Sequence, residues 1–348
     1  MTKVLIVATS RKTRGGITSV IKAHETGEQW KKFHCHWVQT HRDGPAWRKI
    51  LYFVSGLTDF LIRVPFYDII HIHTADYGTE RRKRIFARLT KFFGKKLVVH
   101  LHSSGPEYSI GGKYQGLYRY SFTHADKVIL LSNTWRDEAK KAFNLSGKKM
   151  EVLYNPCPNV DPSSPKEREH YILFAGTLIH RKGYDDLIKA FASLESDYPD
   201  WRLKLAGNGE IEHAKDLVSE LNIADKVDFL GWISGKEKDE AFRHASIYCL
   251  PSYSEGFPMG VLDAWAYHLP VITTPVGGIP DVGIDNENIL LFEPGDIKNL
   301  TYKLMTLIKT PSLYKKIQDA SMSFAKKQFS QSTISQQLAN IYQSLCRQ

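Results

Sequence analysis

The chain has 348 residues, of which 42% are hydrophobic and 24% charged, with a formal net charge of +10 and a pI near 9.2. That length exceeds one ordinary core and suits two domains, and the composition excludes a disordered or fibrous protein. Four scattered cysteines, Cys35, Cys157, Cys249 and Cys346, argue for a reducing compartment and against a disulfide framework or thiolate zinc site.

Residues 4–8 are a short apolar run followed at once by Thr-Ser-Arg-Lys, which reads as a first strand rather than a secretory signal. Further β-branched runs at 35–39, 68–73, 97–102, 127–132 and 150–154 alternate with helical patterns. This is the rhythm of a parallel sheet covered on both faces. The polar loop after the first run ends in Gly15-Gly16. Paired glycines let a phosphate approach backbone N–H groups, though taken by itself the pair reads first as a plain turn. Residues 47–66 are apolar and aromatic, but Arg48, Lys49, Asp59 and Arg63 break the run, so a spanning helix is not expected.

Arg81 to Lys96 holds eight Lys or Arg and no acid, with Ile85, Phe86, Leu89, Phe92 and Phe93 expected on one helical face. It reads either as a membrane-surface helix or as a sheet-covering helix with a solvated basic side. His71/His73 and His100/His102 each place both rings on one side of a strand. With no carboxylate or cysteine at ligand spacing, no metal site is expected, and core roles suit His71 and His100. His102, at a strand end before Ser103-Ser104-Gly105, stands where a parallel sheet presents residues to a ligand.

Residues 155–170 carry four prolines and few apolar side chains, as a linker does. The strand rhythm then restarts at 171–176, 201–206, 227–230, 246–250, 271–274 and 289–292, with helices near 183–197, 210–222, 236–244, 258–268 and 296–308. Two further helices, 312–328 and 331–346, end the chain. The fold class is therefore α/β, with two tandem doubly wound Rossmann-like domains at 1–160 and 161–330. Residues 331–348 form a C-terminal helix expected to pack back on the first domain, and the ligand is expected in the cleft between the domains.

In the second half, Arg181-Lys182-Gly183 puts two cations after a strand and ahead of a helix, where they can neutralise a pyrophosphate leaving group, although without the neighbouring motifs they read as a solvated surface pair. Gly207 lies in a similar strand–turn–helix segment. The stretch 251–270, PSYSEGFPMGVLDAWAYHLP, turns from a buried strand into a helix that starts at Pro258. The free N–H groups of this helix start, on Met259 and Gly260 after Pro258, can receive a phosphate, with Glu255 and Asp263 flanking them as carboxylates for sugar hydroxyls; alone, the two acids read equally as a loop acid and a solvent-facing helical Asp.

Taken together, these blocks resemble the family 4 retaining glycosyltransferases of GT-B fold. The likeness runs from Gly15-Gly16 through His102, Arg181-Lys182-Gly183, Ala206-Gly207-Asn208-Gly209 and Phe229-Leu230-Gly231. It continues through Pro251-Ser252 with Glu255-Gly256-Phe257-Pro258, to Gly277-Gly278-Ile279-Pro280-Asp281. It implies a hexosyl transfer from a nucleotide diphosphate sugar, a UDP-sugar being favoured, to a hydroxyl of a glycan or polyprenyl-linked acceptor in surface polysaccharide assembly. By the same likeness Glu255 binds donor-sugar hydroxyls and Asp263 the ribose. The backbone at Gly16 and at Pro258 to Gly260 holds phosphates with Arg181 and Lys182, and His102 approaches the reacting sugar. No protein nucleophile, metal or other cofactor is implied.

Three positions depart from the family pattern: Asp263 stands for a second Glu, Thr177 for a frequent Arg, and 285–289 lacks a usual Gly. The expected setting is cytoplasmic, with peripheral contact to an anionic inner membrane face. Nucleic acid is not an expected partner, since the basic run lacks the interleaved aromatic motif of an RNA-binding module. Two other classes stay open. A nucleotide-sugar epimerase or hydrolase of the same fold would need no acceptor, and a non-catalytic basic membrane-binding protein would need no intact nucleotide site.

Overall fold

The structure, a computed structural model, describes residues 1–103, 105, 109–160 and 168–346. Ser104 and the 161–167 part of the expected linker lie outside the described residues. The chain divides into two units, Met1–Pro156 with Gln331–Gln348, and Cys157–Ser330.

The first unit is built on a six-stranded parallel sheet ordered β2-β1-β3-β4-β5-β6. The strands are β1 (Val4–Ala8), β2 (His36–Gln39), β3 (Ile69–Thr74), β4 (Lys96–Leu101), β5 (Lys127–Leu130) and β6 (Met150–Val152). All six residues of β3 are buried, histidines included, because helices cover both faces of a parallel sheet. Those helices are α1 (Gly16–Glu25), α2 (Glu28–Lys32), α3 (Ala46–Arg63), α4 (Tyr77–Phe92), α5 (Gln115–His124) and α6 (Asn133–Phe143). On one face, Phe60 and Val64 pack with Phe86, Phe122 and Trp135.

On the other face lie α1, α2 and the last helix of the chain, Gln331–Cys346. Its Ile334, Leu338 and Tyr342 join Ile6, Phe33 and Trp37 in one apolar cluster. The expected stripe on α4 is corrected. Phe86 is buried with Glu80, Lys83, Ala87 and Thr90, while Ile85 and Phe92 are exposed, so the sheet-facing row is phased about one residue away from the apolar count.

The second unit repeats the plan with strand order β12-β11-β10-β7-β8-β9, again all parallel. Its strands are β7 (Tyr171–Ala175), β8 (Arg202–Ala206), β9 (Val227–Gly231), β10 (Ile247–Leu250), β11 (Val271–Thr273) and β12 (Leu290–Leu291). Between them run α7 (Tyr184–Ala192), α8 (Ile211–Glu220), α9 (Lys236–His244) and α10 (Met259–Ala266), followed by α11 (Ile297–Lys309) and α12 (Pro311–Ser323). The chain goes from β7 outward through β8 and β9, then returns to place β10 on the other side of β7. The carboxyl ends of β7 and β10 therefore flank the point where the strand order reverses, the place where open α/β sheets bind ligands.

Trp265 stacks with Phe329 (centroids 5.2 Å) and meets Phe324 (4.7 Å). These contacts pack Trp265 of α10 against the segment that follows α12.

Candidate active site

At the reversal point of the second unit, the loops after β7 and β10 fasten to each other. Lys182 donates to Glu255 Oε1, and the Ser252 hydroxyl donates to the same oxygen at 2.8 Å. Among the described residues nothing bonds Glu255 Oε2, so this buried carboxylate is engaged on one side only. Backbone ties hold the pair in place: Tyr253 N–H donates to the Arg181 carbonyl (2.8 Å) and Gly278 N–H to the Gly256 carbonyl (2.8 Å). Gly183, at φ 67°, sits where a Cβ would strike the Pro251 carbonyl, and only glycine permits this closeness of the two loops. Arg181 differs from Lys182, since its guanidinium donates to the Ser254 carbonyl (2.5 Å) and serves as a loop brace.

Pro258 is the N-cap of α10, whose first intrahelical bond runs from Val261 N–H to the Pro258 carbonyl (3.1 Å). The N–H groups of Met259 and Gly260 precede that bond and carry the positive end of the helix dipole, with no side-chain cap in front of them. Both residues are half-buried. Gly207 is a structural position: a Cβ there would collide with the Gly176 carbonyl, and Leu178 N–H donates to the Asn208 carbonyl (2.7 Å). The turn after β8 thus extends the β7–β8 pairing beside the two loops.

Asp263, buried on α10, has its Oδ1 2.7 Å from Lys238 Nζ of α9, an ion pair off the hydrogen-bonding direction. Burial pushes its carboxyl pKa up, and the Lys238 charge opposes that shift. The structure thus brings together Arg181, Lys182, Glu255, Pro258, Met259 and Gly260, with Gly207 at the adjoining turn and Asp263 four residues along α10 from Met259. Sequence reasoning gave no role to Lys238 or Ser252. Ser252 was visible as a hydroxyl inside the motif, whereas Lys238 had no signal, because only the packing of α9 on α10 makes it a partner.

Three residues belong to the first unit. Gly15, at φ 134°, is the exposed N-cap of α1, and Gly16 is its first residue, so the helix start is open and uncapped by any side chain. His102 lies just past β4, its N–H donating to the Thr74 carbonyl (2.8 Å), and its Nε2 shares a hydrogen bond with His73 Nδ1 (2.9 Å). Burial, and to a lesser degree His24, push His102 down to about 3, so its imidazole is neutral near neutral pH.

Behind it His71, His73 and His100 are fully buried and stacked, and His71 Nδ1 meets the Tyr342 hydroxyl at 2.7 Å. Their ligating atoms lie within 4.8 Å of one another. Among the described residues, His71 Nε2 and both ring nitrogens of His100 have no hydrogen-bond partner.

Chemically, the second-unit site offers a fixed ammonium, an open helix start and two carboxylates, a set that fits a diphosphate flanked by hydroxyl-bearing sugars. Residues 7–158 match the family model described as Glycosyltransferase Family 4, and residues 159–323 the one described as Glycosyl transferases group 1.

An uncharacterised glycosyltransferase of Haemophilus influenzae is 32% identical over 219 residues, covering 60% of this chain and 58% of that protein. One from Methanocaldococcus jannaschii is 29% identical over 239 residues, covering 66% and 63%. The matched region thus spans about three-fifths of these relatives' length. Anabaena HepE, solved in complex with UDP-glucose, aligns at TM-score 0.78 over 99% of this chain and 100% of its own, with 19% identity. That likeness shows the GT-B fold of two Rossmann-like domains.

Proposed function

Because the chain belongs to the glycosyltransferases whose halves match the Family 4 and group 1 models, we propose that it is a retaining hexosyltransferase acting on a UDP-sugar. Its acceptor is a glycan or polyprenyl-linked glycan hydroxyl in surface polysaccharide assembly, reached from the cytoplasmic side. The observation that carries this reading is the Lys182–Glu255 pair set beside the open start of α10. Lys182 and the Met259 and Gly260 N–H groups stabilise the diphosphate as charge builds on it. The free side of Glu255 accepts from donor-sugar hydroxyls, and Asp263, paired with Lys238, takes the ribose. In the first unit, Gly15 and Gly16 open α1 toward phosphate, and neutral His102 contacts the sugar as a hydrogen-bonding group. Retention rests on the family resemblance, and the UDP preference is supported by the UDP-glucose bound to HepE.

The test is a thermal-shift panel of uridine, guanosine and adenosine diphosphates and their sugars, followed by product analysis with and without acceptor. UDP is expected to raise the melting temperature, and sugar transfer to require an acceptor. A panel without any shift overturns the donor site; donor conversion in acceptor-free buffer overturns transfer in favour of an epimerase or hydrolase.

A further inference from the structure

A helix that covers a sheet normally turns its apolar side chains inward, yet α3 also carries a row that faces out. Trp47, Ile50 and Ile62 are 61, 63 and 64% exposed, and Leu51, Val54 and the following Phe66 are exposed as well. At 100° per residue the helical ones project to one side of α3, while Gly56 and Phe60 bury the opposite side.

The neighbouring helix continues the surface. On α4 the exposed row is Arg81, Ile85, Arg88 and Phe92, the last 83% exposed. The two helices are side by side, because Phe53 and Phe60 of α3 both meet Phe86 of α4 edge-on, at 6.0 and 5.2 Å. Exposed apolar side chains grouped along two adjacent helices mark an interaction surface.

Its charges are of one sign. Arg48 lies over the Trp47 ring (5.3 Å), Lys49 is exposed beside it, and Lys95 reaches the Pro65 carbonyl next to Phe66. The acid of α3, Asp59, is neutralised by Arg63 at 2.6 Å, and the acid of α4, Glu80, is buried. Exposed Trp and aliphatic side chains interleaved with cations are what the boundary between lipid headgroups and acyl chains receives. No helix among the described residues is long and apolar enough to cross a membrane.

We propose that the α3–α4 face docks the protein on an anionic lipid bilayer. Trp47, Ile50, Ile62 and Phe92 enter the interface, and Lys49, Arg81 and Arg88 meet headgroup phosphates. This deepens the reading of a lipid-linked acceptor, but it is measured without donor or acceptor, so failure of transfer bears on the enzyme reading alone.

The experiment uses the full chain in co-sedimentation with phosphatidylcholine vesicles, with or without phosphatidylglycerol. Binding is expected only to the anionic vesicles and is expected to weaken as salt rises. A Trp47→Ser/Ile50→Ser/Ile62→Ser variant, altered only at exposed positions, keeps its melting temperature and loses roughly tenfold or more in vesicle affinity. Lys49→Ser/Arg81→Ser/Arg88→Ser is expected to lose a comparable factor on anionic vesicles. Unchanged binding by the first variant, or equal binding to neutral vesicles, overturns the proposal. So does a concentration-dependent dimer that the first variant abolishes, because the surface would then be covered by a second copy.

Discussion

Replacing Lys182 by Ala separates two roles that the Lys182–Glu255 pair combines. Glu255 is 5% exposed and the lysine side chain 17%, so the substitution leaves a carboxylate in a nearly dry loop without its counter-charge. Breaking a wholly buried pair costs ~3–5 kcal/mol. Here Ser252 keeps one bond to the same oxygen and water reaches the lysine end, which brings the expected loss to ~2 kcal/mol. For a unit of this size that corresponds to a melting transition lower by about 4–8 °C. Glu255→Gln added to Lys182→Ala removes the stranded charge and is expected to recover much of the loss in differential scanning fluorimetry, a coupling that a double-mutant cycle measures. Transfer does not recover: each single variant and the double variant are expected to fall by ~10²-fold or more, because the leaving-group cation or the sugar acceptor is gone. Lys182→Ala with unchanged melting would mean that the pair is effectively solvated. Wild-type-like transfer by Lys182→Ala or Glu255→Ala would remove both residues from the site.

Two further outcomes test neighbouring parts. Lys238→Met removes the charge that opposes the burial-driven rise of the Asp263 pKa, so UDP affinity is expected to drop further as pH falls than in the wild type; parallel calorimetric pH profiles would refute this. In the first unit, burial depresses His24 to about 4 and His102 to about 3, both from 6.5. Each is neutral when folded and binds a proton when unfolded, so its stabilising contribution is complete above 6.5 and is lost as pH falls toward the folded value. At about pH 5 the loss is ~2 kcal/mol per histidine. His24→Gln is therefore expected to flatten the fall of first-unit stability between neutral pH and that point, and an unchanged slope would contradict it.

Much of the architecture was legible because the strands of a parallel sheet are buried on both faces and stand out as β-branched runs such as Ile69 to Ile72. The segment from Glu255 to Pro258 was legible for a related reason: a glycine and a proline at fixed offsets dictate a strand-to-helix turn. Charge was less informative. Of the four consecutive cations Arg81 to Arg84, Lys83 is buried with its ammonium on Thr40 Oγ1 (2.6 Å). The helical phase set by Glu80, Phe86, Ala87 and Thr90 decides that, and counting cations does not. Lys238 against Asp263 and His73 against His102 were not legible, since each pair comes from separate elements and exists only once helix packing or strand register is fixed. Arg181 was readable as a cation near a helix, but its use as a brace on Ser254 depends on the path of a loop.

The placement of the last helix bears on how the protein is made. Ile334, Leu338 and Tyr342 complete the apolar cluster around Ile6 and Trp37, and the Tyr342 hydroxyl meets His71 in the middle of the first sheet. A nascent chain ordinarily folds its N-terminal domain while the rest is still being synthesised. Here part of one face of the first sheet, beside α1 and α2, stays uncovered until residues 331–346 have been made, after the whole of the second unit, so the second unit can finish before the first. A stop codon in place of Gln331 should accordingly yield a chain with an intact second unit and an aggregation-prone first one.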